Sequence, residues 1–223
     1  MVSRLELLKA SPYFSGLSSA ELEETNRLVF EKRYDRDEII VAEEEKAEAL
    51  YFVASGVVKV FKTSADGKEQ ILAIIRPEGA FNEVPVFNGG VNPTSAQAMA
   101  PVVVYGIKGG DMDVILRTKP QVALNIIRIM AKRLRHLVSL VEELSFKRVI
   151  SRVARILLDY AGDGITSGVR LTQRDMAAMA GTAREVVSRS LKALTEDGAI
   201  RIDRHRIIVT NRDSLEKIAE QSL

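Results

Sequence analysis

The chain has 223 residues, of which 46% are hydrophobic and 28% charged, and its formal net charge is +2. This composition is typical of a globular protein long enough for two domains. The sequence contains no cysteine, which excludes disulfides, thiol switches and cysteine-ligated iron–sulfur clusters. Its apolar runs are too short for a membrane span, and residues 1–14 lack the apolar core of a signal peptide. We therefore expect a cytoplasmic protein with no membrane partner.

Short strand-like segments dominate the first half of the chain. A helix is expected over residues 17–29, with Ser18 or Ser19 as its N-cap. Apolar runs then alternate with turn signals, and Asp66-Gly67 is a strong hairpin signal between two of them. The strand-like runs cover residues 50–53, 57–61, 71–75 and 96–107. Strands at such intervals predict a β-roll or jelly roll over residues 1–119.

From Pro120 the pattern becomes helical, and residues 120–145 are expected to form one long helix, because proline is accepted in a first helical turn. Apolar residues recur along it at alternating intervals of three and four, which is the seam of a coiled coil. The seam consists of Ile127, Met130, Leu134, Leu137, Val141 and Leu144. It predicts a dimer interface, and the alternative is a helix that packs only on its own β-roll.

Residues 146–223 are expected to form a separate domain after a hinge at Ser145-Phe146. An amphipathic helix is predicted over residues 149–160, and three glycines between residues 162 and 168 predict a loop. The chain then carries two short helical patterns. Thr172 and Asp175 have capping-box spacing, and Gly181 can end the first helix.

The second short helix is expected to begin at Thr182, since Thr182 and Glu185 repeat the capping-box spacing. Its apolar positions, which are expected to face a core, are Val186, Val187, Leu191 and Leu194. Its early polar positions are Arg184, Glu185, Ser188 and Arg189. In a helix-turn-helix protein the early face of the second helix meets base edges in the major groove. Arginine can bind guanine there, and a carboxylate can accept a hydrogen bond from cytosine.

A wing is predicted after these helices, formed by strands over residues 200–202 and 206–209, and residues 213–221 are expected to form a closing helix. The arginines of this hairpin are Arg201, Arg204 and Arg206. They either follow DNA phosphates or belong to an ordinary solvated hairpin. The predicted fold class is thus α+β, with an N-terminal β-roll, a long dimerisation helix and a C-terminal winged helix-turn-helix.

The run GTAREVVSRSLKAL, preceded by LTQRDMA and followed by GAI, resembles the Crp/Fnr family of bacterial transcription regulators. The resemblance covers nearly the whole chain and implies a cyclic-nucleotide-binding-like sensor domain at residues 1–119. It implies that Arg184, Glu185 and Arg189 read bases, with Ser188 similar to the fumarate–nitrate regulator branch. The residues that it places on phosphates are Thr172, Arg174 and Thr182. It further implies a homodimer, a palindromic double-stranded DNA operator with TGA-type half-sites, and RNA polymerase as a partner.

The sensor loop departs from the pattern of the family's cyclic-AMP receptors, in which Gly-Glu followed by Arg-Ser holds ribose and phosphate. Glu83 and Ser95 match, whereas Asn82 stands in place of the Gly and Thr94 in place of the Arg. Two apolar residues on the long helix also replace the Thr and Ser that bind the base. The candidate effector pocket consists of Glu83, Thr94, Ser95, Leu137 and Val138. Because a buried phosphate without a cation is costly, we expect an effector other than cyclic AMP.

The sequence is compatible with more than one effector, and a regulator that needs no ligand is an alternative. Haem is a further possibility, but only His136 and His205 are available as imidazole ligands. His136 precedes a seam position and is expected to face outward, and His205 lies in the predicted wing. The sequence has no P-loop, no GxSxG motif and no histidine pair at metal spacing. It therefore predicts neither an enzyme nor a metal site.

Overall fold

A computed structural model describes residues 3–160, 171–203 and 206–221. The chain forms two compact units, Met1–Lys62 with Leu72–Leu134 and Thr63–Ile71 with Arg135–Leu223. The predicted glycine loop, with Gly162, Gly164 and Gly168, lies outside the described residues, as do Arg204 and His205.

Eight strands form two four-stranded sheets in the N-terminal part of the chain. They are β1 (Val29–Tyr34), β2 (Ile39–Val41), β3 (Ala49–Ser55), β4 (Val58–Thr63), β5 (Glu69–Ile75), β6 (Ala80–Phe81), β7 (Ser95–Ala98) and β8 (Val102–Lys108). One sheet has the order β1-β8-β3-β6 and the other β2-β7-β4-β5. The predicted β-roll is therefore confirmed, and the Asp66-Gly67 turn lies between β4 and β5 as expected, with Gly67 at φ 76°.

The core of the roll packs on both faces of β3. Leu50 and Phe52 belong to one apolar cluster, and Tyr51 and Val53 belong to another. All four side chains are buried, because successive side chains of a strand point to opposite faces and both faces are covered. This explains why the sequence of β3 is apolar throughout instead of alternating.

Helices flank the strands of this unit. They are α1 (Arg4–Ala10), a short 3₁₀ helix (Pro12–Phe14), α2 (Ser19–Asn26), α3 (Glu83–Asn88) and α4 (Gly109–Thr118). Ser18 caps α2 in a capping box with Glu21, so Ser18 is the cap of the two serines considered, and the helix is shorter than the predicted 17–29. The sequence patterns did not predict α1, α3 or α4.

The predicted strand over residues 96–107 is in fact two strands, β7 and β8, which lie in different sheets. Pro101 lies in the bend between them. Proline has no N–H to donate to a ladder and is therefore confined to strand ends and edges. The sequence did not predict this change of sheet, because residues 96–107 are rich in Val and Ala throughout.

The long helix α5 covers Pro120–Phe146, 27 residues. It continues through the predicted hinge at Ser145-Phe146, and the next helix, α6 (Val149–Tyr160), begins after Arg148. The helix therefore ends at Phe146, one residue beyond the predicted 145, and the hinge between two domains stays a prediction.

The C-terminal unit is a winged helix-turn-helix, as expected. Its further elements are α7 (Gln173–Ala180), α8 (Arg184–Glu196), β9 (Ile200–Asp203), β10 (Arg206–Val209) and α9 (Arg212–Glu220). Strands β9 and β10 pair antiparallel. The buried side chains that form its core include Val153, Leu157, Met176, Val187, Leu191, Leu194 and Leu215.

The caps of the two helices α7 and α8 differ in how well local signals predicted them. Thr172 and Asp175 form the expected capping box, and Gly181 ends α7 at φ 60°, ψ 45°. The expected cap at Thr182 is wrong: the N-cap of α8 is Ala183, which has no side chain able to cap. The Thr182 backbone N–H instead donates to the carbonyl of Ala177 (3.0 Å), because the turn that follows Gly181 continues through this residue.

Candidate nucleic-acid interface and buried polar site

Helix α8 presents a polar face that nothing in the described part of the unit covers. Arg184, Glu185, Ser188 and Arg189 are all exposed. Among the described residues their side chains make no hydrogen bond or ion pair. The other face carries Val187, Leu191 and Leu194, which are buried in the core of the unit. The core therefore fixes the helix, while its early polar face is free to bind a partner.

Gly181 positions α8 relative to α7. Its φ of 60° lies in the left-handed region, which residues with a Cβ adopt only at a cost in free energy. A Cβ at this position would also lie 2.9 Å from Leu144 Cδ2, so the end of that side chain would have to shift. The left-handed backbone is the stronger reason for glycine here, and it gives the turn between the two helices its defined geometry.

The three residues expected on phosphates lie at the start of α7 and in the turn. Thr172 is the N-cap of α7: its hydroxyl donates to the Asp175 carboxylate (2.7 Å) and accepts from the Asp175 N–H (3.1 Å). Arg174 is exposed on the first turn of α7, and Thr182 is half-buried. The Thr172 hydroxyl therefore has a structural role already, whereas the Arg174 guanidinium is free of described partners.

The wing carries Arg201 and Arg206 on exposed positions. Arg206 stands opposite Asp203, and Arg201 stands opposite Ile208 in the ladder. A cross-strand acid partly offsets the charge of Arg206. Arg201 therefore offers the more available positive charge of the two.

A buried polar cluster lies in the roll around Glu83, the first residue of α3. The Glu83 side chain is only 3% exposed, and its Oε1 lies 2.7 Å from Arg133 Nη1 on α5. The Tyr13 hydroxyl donates to the same oxygen (2.5 Å). Arg133 Nη2 also donates to the carbonyl of Ala80 (2.5 Å). The charge of Glu83 is thus compensated within the unit, as a buried carboxylate requires.

Tyr13 acts as a hydrogen-bond donor in this cluster. Burial raises the pKa of its phenol, and the neighbouring Glu83 carboxylate raises it further. The phenol therefore stays protonated, and its hydroxyl continues to donate to Glu83. Tyr13 and Arg133 were not predicted from the sequence as site residues, because each reaches Glu83 from a distant part of the chain.

Asn82 explains how the loop before Glu83 keeps its shape without glycine. Its backbone adopts φ 68°, ψ 29°, the left-handed region in which asparagine is among the better-tolerated residues. Its side-chain amide donates to the carbonyl of Ala49 (3.1 Å). Asn82 therefore keeps the backbone conformation of a glycine and adds a hydrogen bond to β3.

Ser95 is the first residue of β7 and Thr94 precedes it, and the described contacts of Ser95 are with residues other than Glu83. The Ser95 hydroxyl accepts the backbone N–H of Glu43 (3.1 Å). The Glu43 carboxylate pairs with Lys62 (2.7 Å), and Lys62 also donates to the carbonyl of Pro93 (3.3 Å). No hydrogen bond joins Thr94 or Ser95 to Glu83 within the described residues.

The same loop is held by Asn92. Its N–H donates to the carbonyl of Glu45 (2.8 Å), and its carbonyl accepts the N–H of Glu44 (2.9 Å). Its side-chain amide donates to the carbonyl of Ala42 (3.0 Å). The loop that carries Thr94 and Ser95 is thus fastened to the loop after β2.

An exposed apolar stripe runs along α5. Ile127, Leu134 and Val141 are each 64% exposed, Val138 61% and Leu137 44%. With the exposed Ala131, the most exposed positions follow intervals of four and three: 127, 131, 134, 138 and 141. We call these five residues the α5 stripe.

The α5 stripe shares Ile127, Leu134 and Val141 with the predicted seam but differs from it elsewhere. Met130 is half-buried and packs against the core of the roll, and Leu144 is also half-buried. Met130 follows Ile126 by one turn, and Ile126 is part of the same core. The helix must cover the roll with this face, so the face left open is rotated by about one position.

Within the described residues, no group of three His, Cys, Asp or Glu side chains could hold a metal ion. His136 is exposed on α5, as expected. Within the same residues, no helix is both long enough and apolar enough to cross a membrane.

Comparisons with known proteins agree with this architecture. Residues 31–119 match the cyclic nucleotide-binding domain family, and residues 151–218 match the Crp-like helix-turn-helix domain family. The chain is 33% identical over 212 residues to the cyclic AMP receptor protein of Thermus thermophilus, covering 95% of this chain and 98% of that protein. It is 26% identical over 221 residues to the CRP-like cAMP-activated global transcriptional regulator of Mycobacterium tuberculosis, covering 96% and 99%. The structure of FixK2 from Bradyrhizobium japonicum superposes with a TM-score of 0.77 at 29% identity, covering 87% and 99%.

Proposed function

The chain belongs to the Crp family of DNA-binding transcription regulators, and we propose that it acts as a homodimer on palindromic operators under the control of a small effector other than cyclic AMP. The observation that carries the DNA-reading part is the uncovered polar face of α8. Arg184 and Arg189 offer bidentate donors for guanine, and Glu185 offers an acceptor for cytosine N4. Ser188 adds a short hydroxyl between them.

The backbone contacts proposed for this interface involve the start of α7 and the turn. Arg174 supplies a charge for a phosphate, and the N-terminus of α7 favours a negative group through its unpaired N–H groups. Thr172 and Thr182 flank this position. Phosphate contacts of this kind position the protein and carry no sequence information.

The α5 stripe supports the proposed homodimer. A row of exposed apolar side chains at intervals of four and three is the pattern that a second helix buries in a coiled coil. A two-fold axis along this helix would present two α8 helices to half-sites of one palindrome. The proposed interface therefore centres on Ile127, Leu134 and Val141, with Leu137 at its edge.

A selection from random duplexes tests the DNA-reading proposal. The purified full chain is expected to enrich a palindrome whose half-sites contain a TGA-type core, and a scrambled duplex of the same length should compete far less well. Enrichment of no common sequence would contradict the proposal. RNA polymerase as a partner, and a place in the cytoplasm, follow from the same role.

The effector proposal rests on charge. Relatives at 33% and 26% identity are named for cyclic AMP, but Thr94 supplies no cation for a cyclic phosphate. The nearest described guanidinium to Glu83 is that of Arg133, which already neutralises the carboxylate. An apolar Leu137 and Val138 would not hydrogen-bond a purine edge. An uncharged effector fits these residues better than a cyclic nucleotide.

Ligand-independent regulation is the second candidate function, and one observation favours it. Glu83 has two side-chain partners inside the unit, so its charge needs no ligand to compensate it. Isothermal titration with cyclic AMP and cyclic GMP, with operator affinity measured in parallel, tests the effector proposal. We expect no binding at micromolar concentrations, because a lost charged hydrogen bond weakens binding by roughly ten- to a hundredfold. Micromolar binding coupled to tighter operator affinity would contradict it.

A further inference from the structure

Tyr13 joins the buried polar site to the long helix at two places. Its hydroxyl donates to Glu83 Oε1, the oxygen that also binds Arg133. Its backbone carbonyl accepts a hydrogen bond from the side-chain amide of Asn125 (3.1 Å). Asn125 and Arg133 are both residues of α5, eight positions or about 12 Å apart along the helix. Tyr13 therefore contacts Asn125 directly and Arg133 through the Glu83 carboxylate.

Each attachment point fastens α5 to the wall of the roll. Asn125 is buried, and its amide donates to the carbonyls of Tyr13 and Ser15 (2.8 Å to Ser15). Arg133 donates to the Glu83 carboxylate and to the carbonyl of Ala80. Both side chains leave α5 toward the roll, whereas the α5 stripe stays uncovered on the same helix.

The Tyr13 side chain is itself held in one orientation. It lies in the short 3₁₀ helix, is 2% exposed, and meets the ring of Phe52 edge to face at a centroid distance of 5.3 Å. Its backbone N–H donates to the Ser11 hydroxyl (3.4 Å). The phenol cannot swing away without breaking this packing, so its hydroxyl is a preorganised donor to Glu83.

We propose that Tyr13 is a positioning residue of the sensor: it holds the Glu83 carboxylate in the orientation that binds Arg133, and it thereby fastens the N-terminal half of α5 to the roll. A group that takes the place of the Tyr13 hydroxyl on Glu83 would loosen Arg133 and so change how α5 sits on the roll. This consequence rests on the proposed function, in which the roll senses a ligand. The positioning itself does not.

Tyr13→Phe tests the proposal, because it removes the hydroxyl and keeps the ring that packs on Phe52. Tyr34→Phe is the matched control, since it removes a half-buried tyrosine hydroxyl from β1 of the same roll. Glu83→Gln removes the charge that holds Arg133. All variants are made in the full chain and measured without DNA and without effector, so failure of the proposed regulator function does not affect the outcome.

The main measurement is the NMR signal of the Arg133 guanidinium, assigned by its loss in Arg133→Lys. Its Nη hydrogens give separate signals only while the group is held. We expect these signals to merge or broaden in Tyr13→Phe and in Glu83→Gln and to stay separate in Tyr34→Phe. A purely structural role of the ring would not move them, because the ring is unchanged.

Hydrogen exchange of the α5 amides gives a second measurement. We expect exchange over residues 125–134 to rise about tenfold in Tyr13→Phe, as for loss of a hydrogen bond to a charged group, and to stay within twofold in Tyr34→Phe. Adding Tyr13→Phe to Glu83→Gln should cause little further change if Tyr13 acts through Glu83. A held Arg133 in Tyr13→Phe, additive effects in the double variant, or equal loosening in the control would overturn the proposal.

Discussion

The polar face of α8 and the cluster around Glu83 both contain arginine and glutamate, but they differ in burial and in hydrogen bonding. Arg184, Glu185 and Arg189 are exposed, with no described partner, whereas Glu83 is buried and bound to both Arg133 and Tyr13. A partner that binds α8 therefore breaks no described hydrogen bond or ion pair. A ligand that binds Glu83 must replace hydrogen bonds that the protein already makes.

The two regions therefore differ in how much they contribute to stability and in how readily they bind a partner. Charges on α8 contribute little to stability, because exposed ion pairs and single exposed charges are worth little. The Glu83 cluster is needed by the roll itself, since a buried carboxylate without a partner is costly. Substitutions on the polar face of α8 should therefore change DNA affinity, and substitutions around Glu83 should change the free energy of unfolding.

The largest effect is expected from Leu134→Glu in the middle of the α5 stripe. A carboxylate there would face its symmetry mate in the dimer, so the chain should sediment as a folded monomer. Operator affinity should then fall by about 10²- to 10⁴-fold, because the two half-sites are no longer bound together. Lys132→Glu, which puts a similar charge on an exposed neighbouring position, should stay dimeric. A folded, dimeric Leu134→Glu chain would falsify the assignment of the interface.

Arg133→Ala should have the next largest effect, which is a decrease in the free energy of unfolding. It leaves the buried Glu83 carboxylate with Tyr13 as its described side-chain partner, and we expect a loss of about 2 kcal/mol after allowing for the partial exposure of Arg133. Glu83→Gln should cost less, about 1 kcal/mol, since a neutral amide still accepts a hydrogen bond. Urea unfolding measures both, with Lys132→Ala as the control. A cost for Glu83→Gln above that for Arg133→Ala would contradict this reading of the cluster.

Arg189→Ala should leave the free energy of unfolding unchanged and weaken operator binding by about 1–3 kcal/mol. The loss should be confined to the operator, and the affinity of the variant for a scrambled duplex should change little. Arg174→Ala is the matched comparison, because loss of a phosphate contact weakens binding to all sequences alike. Equal losses of Arg189→Ala on operator and scrambled duplex would count against base reading.

The smallest effect is expected from Thr172→Ala, which removes the cap of α7. Loss of an N-cap costs about 1 kcal/mol, and it should appear in unfolding of the C-terminal unit. Thr172→Ser keeps the hydroxyl and should restore the stability. If Thr172→Ala were as stable as the natural chain yet bound DNA more weakly, the hydroxyl would serve the DNA and not the helix.

Signals that are local in the sequence determined much of this protein. The capping box of Thr172 with Asp175, the glycine at 181 and the apolar spacing of Leu191 and Leu194 suffice to predict two helices and the face that stays open. These signals work because capping, left-handed turns and helical periodicity depend on residues within about four positions of one another. The hairpin at Asp66-Gly67 is predictable for the same reason.

Tertiary structure alone decided the composition of the buried site and the direction of the helix faces. Tyr13 lies 70 residues from Glu83 in the sequence, and nothing in the apolar spacing of α5 indicates that Arg133 reaches the same carboxylate. Met130 fits a heptad seam by spacing, yet it packs on the roll because α5 must cover the core with that face. Periodicity states which residues share a face of a helix, but which face is buried depends on what the rest of the chain places against it.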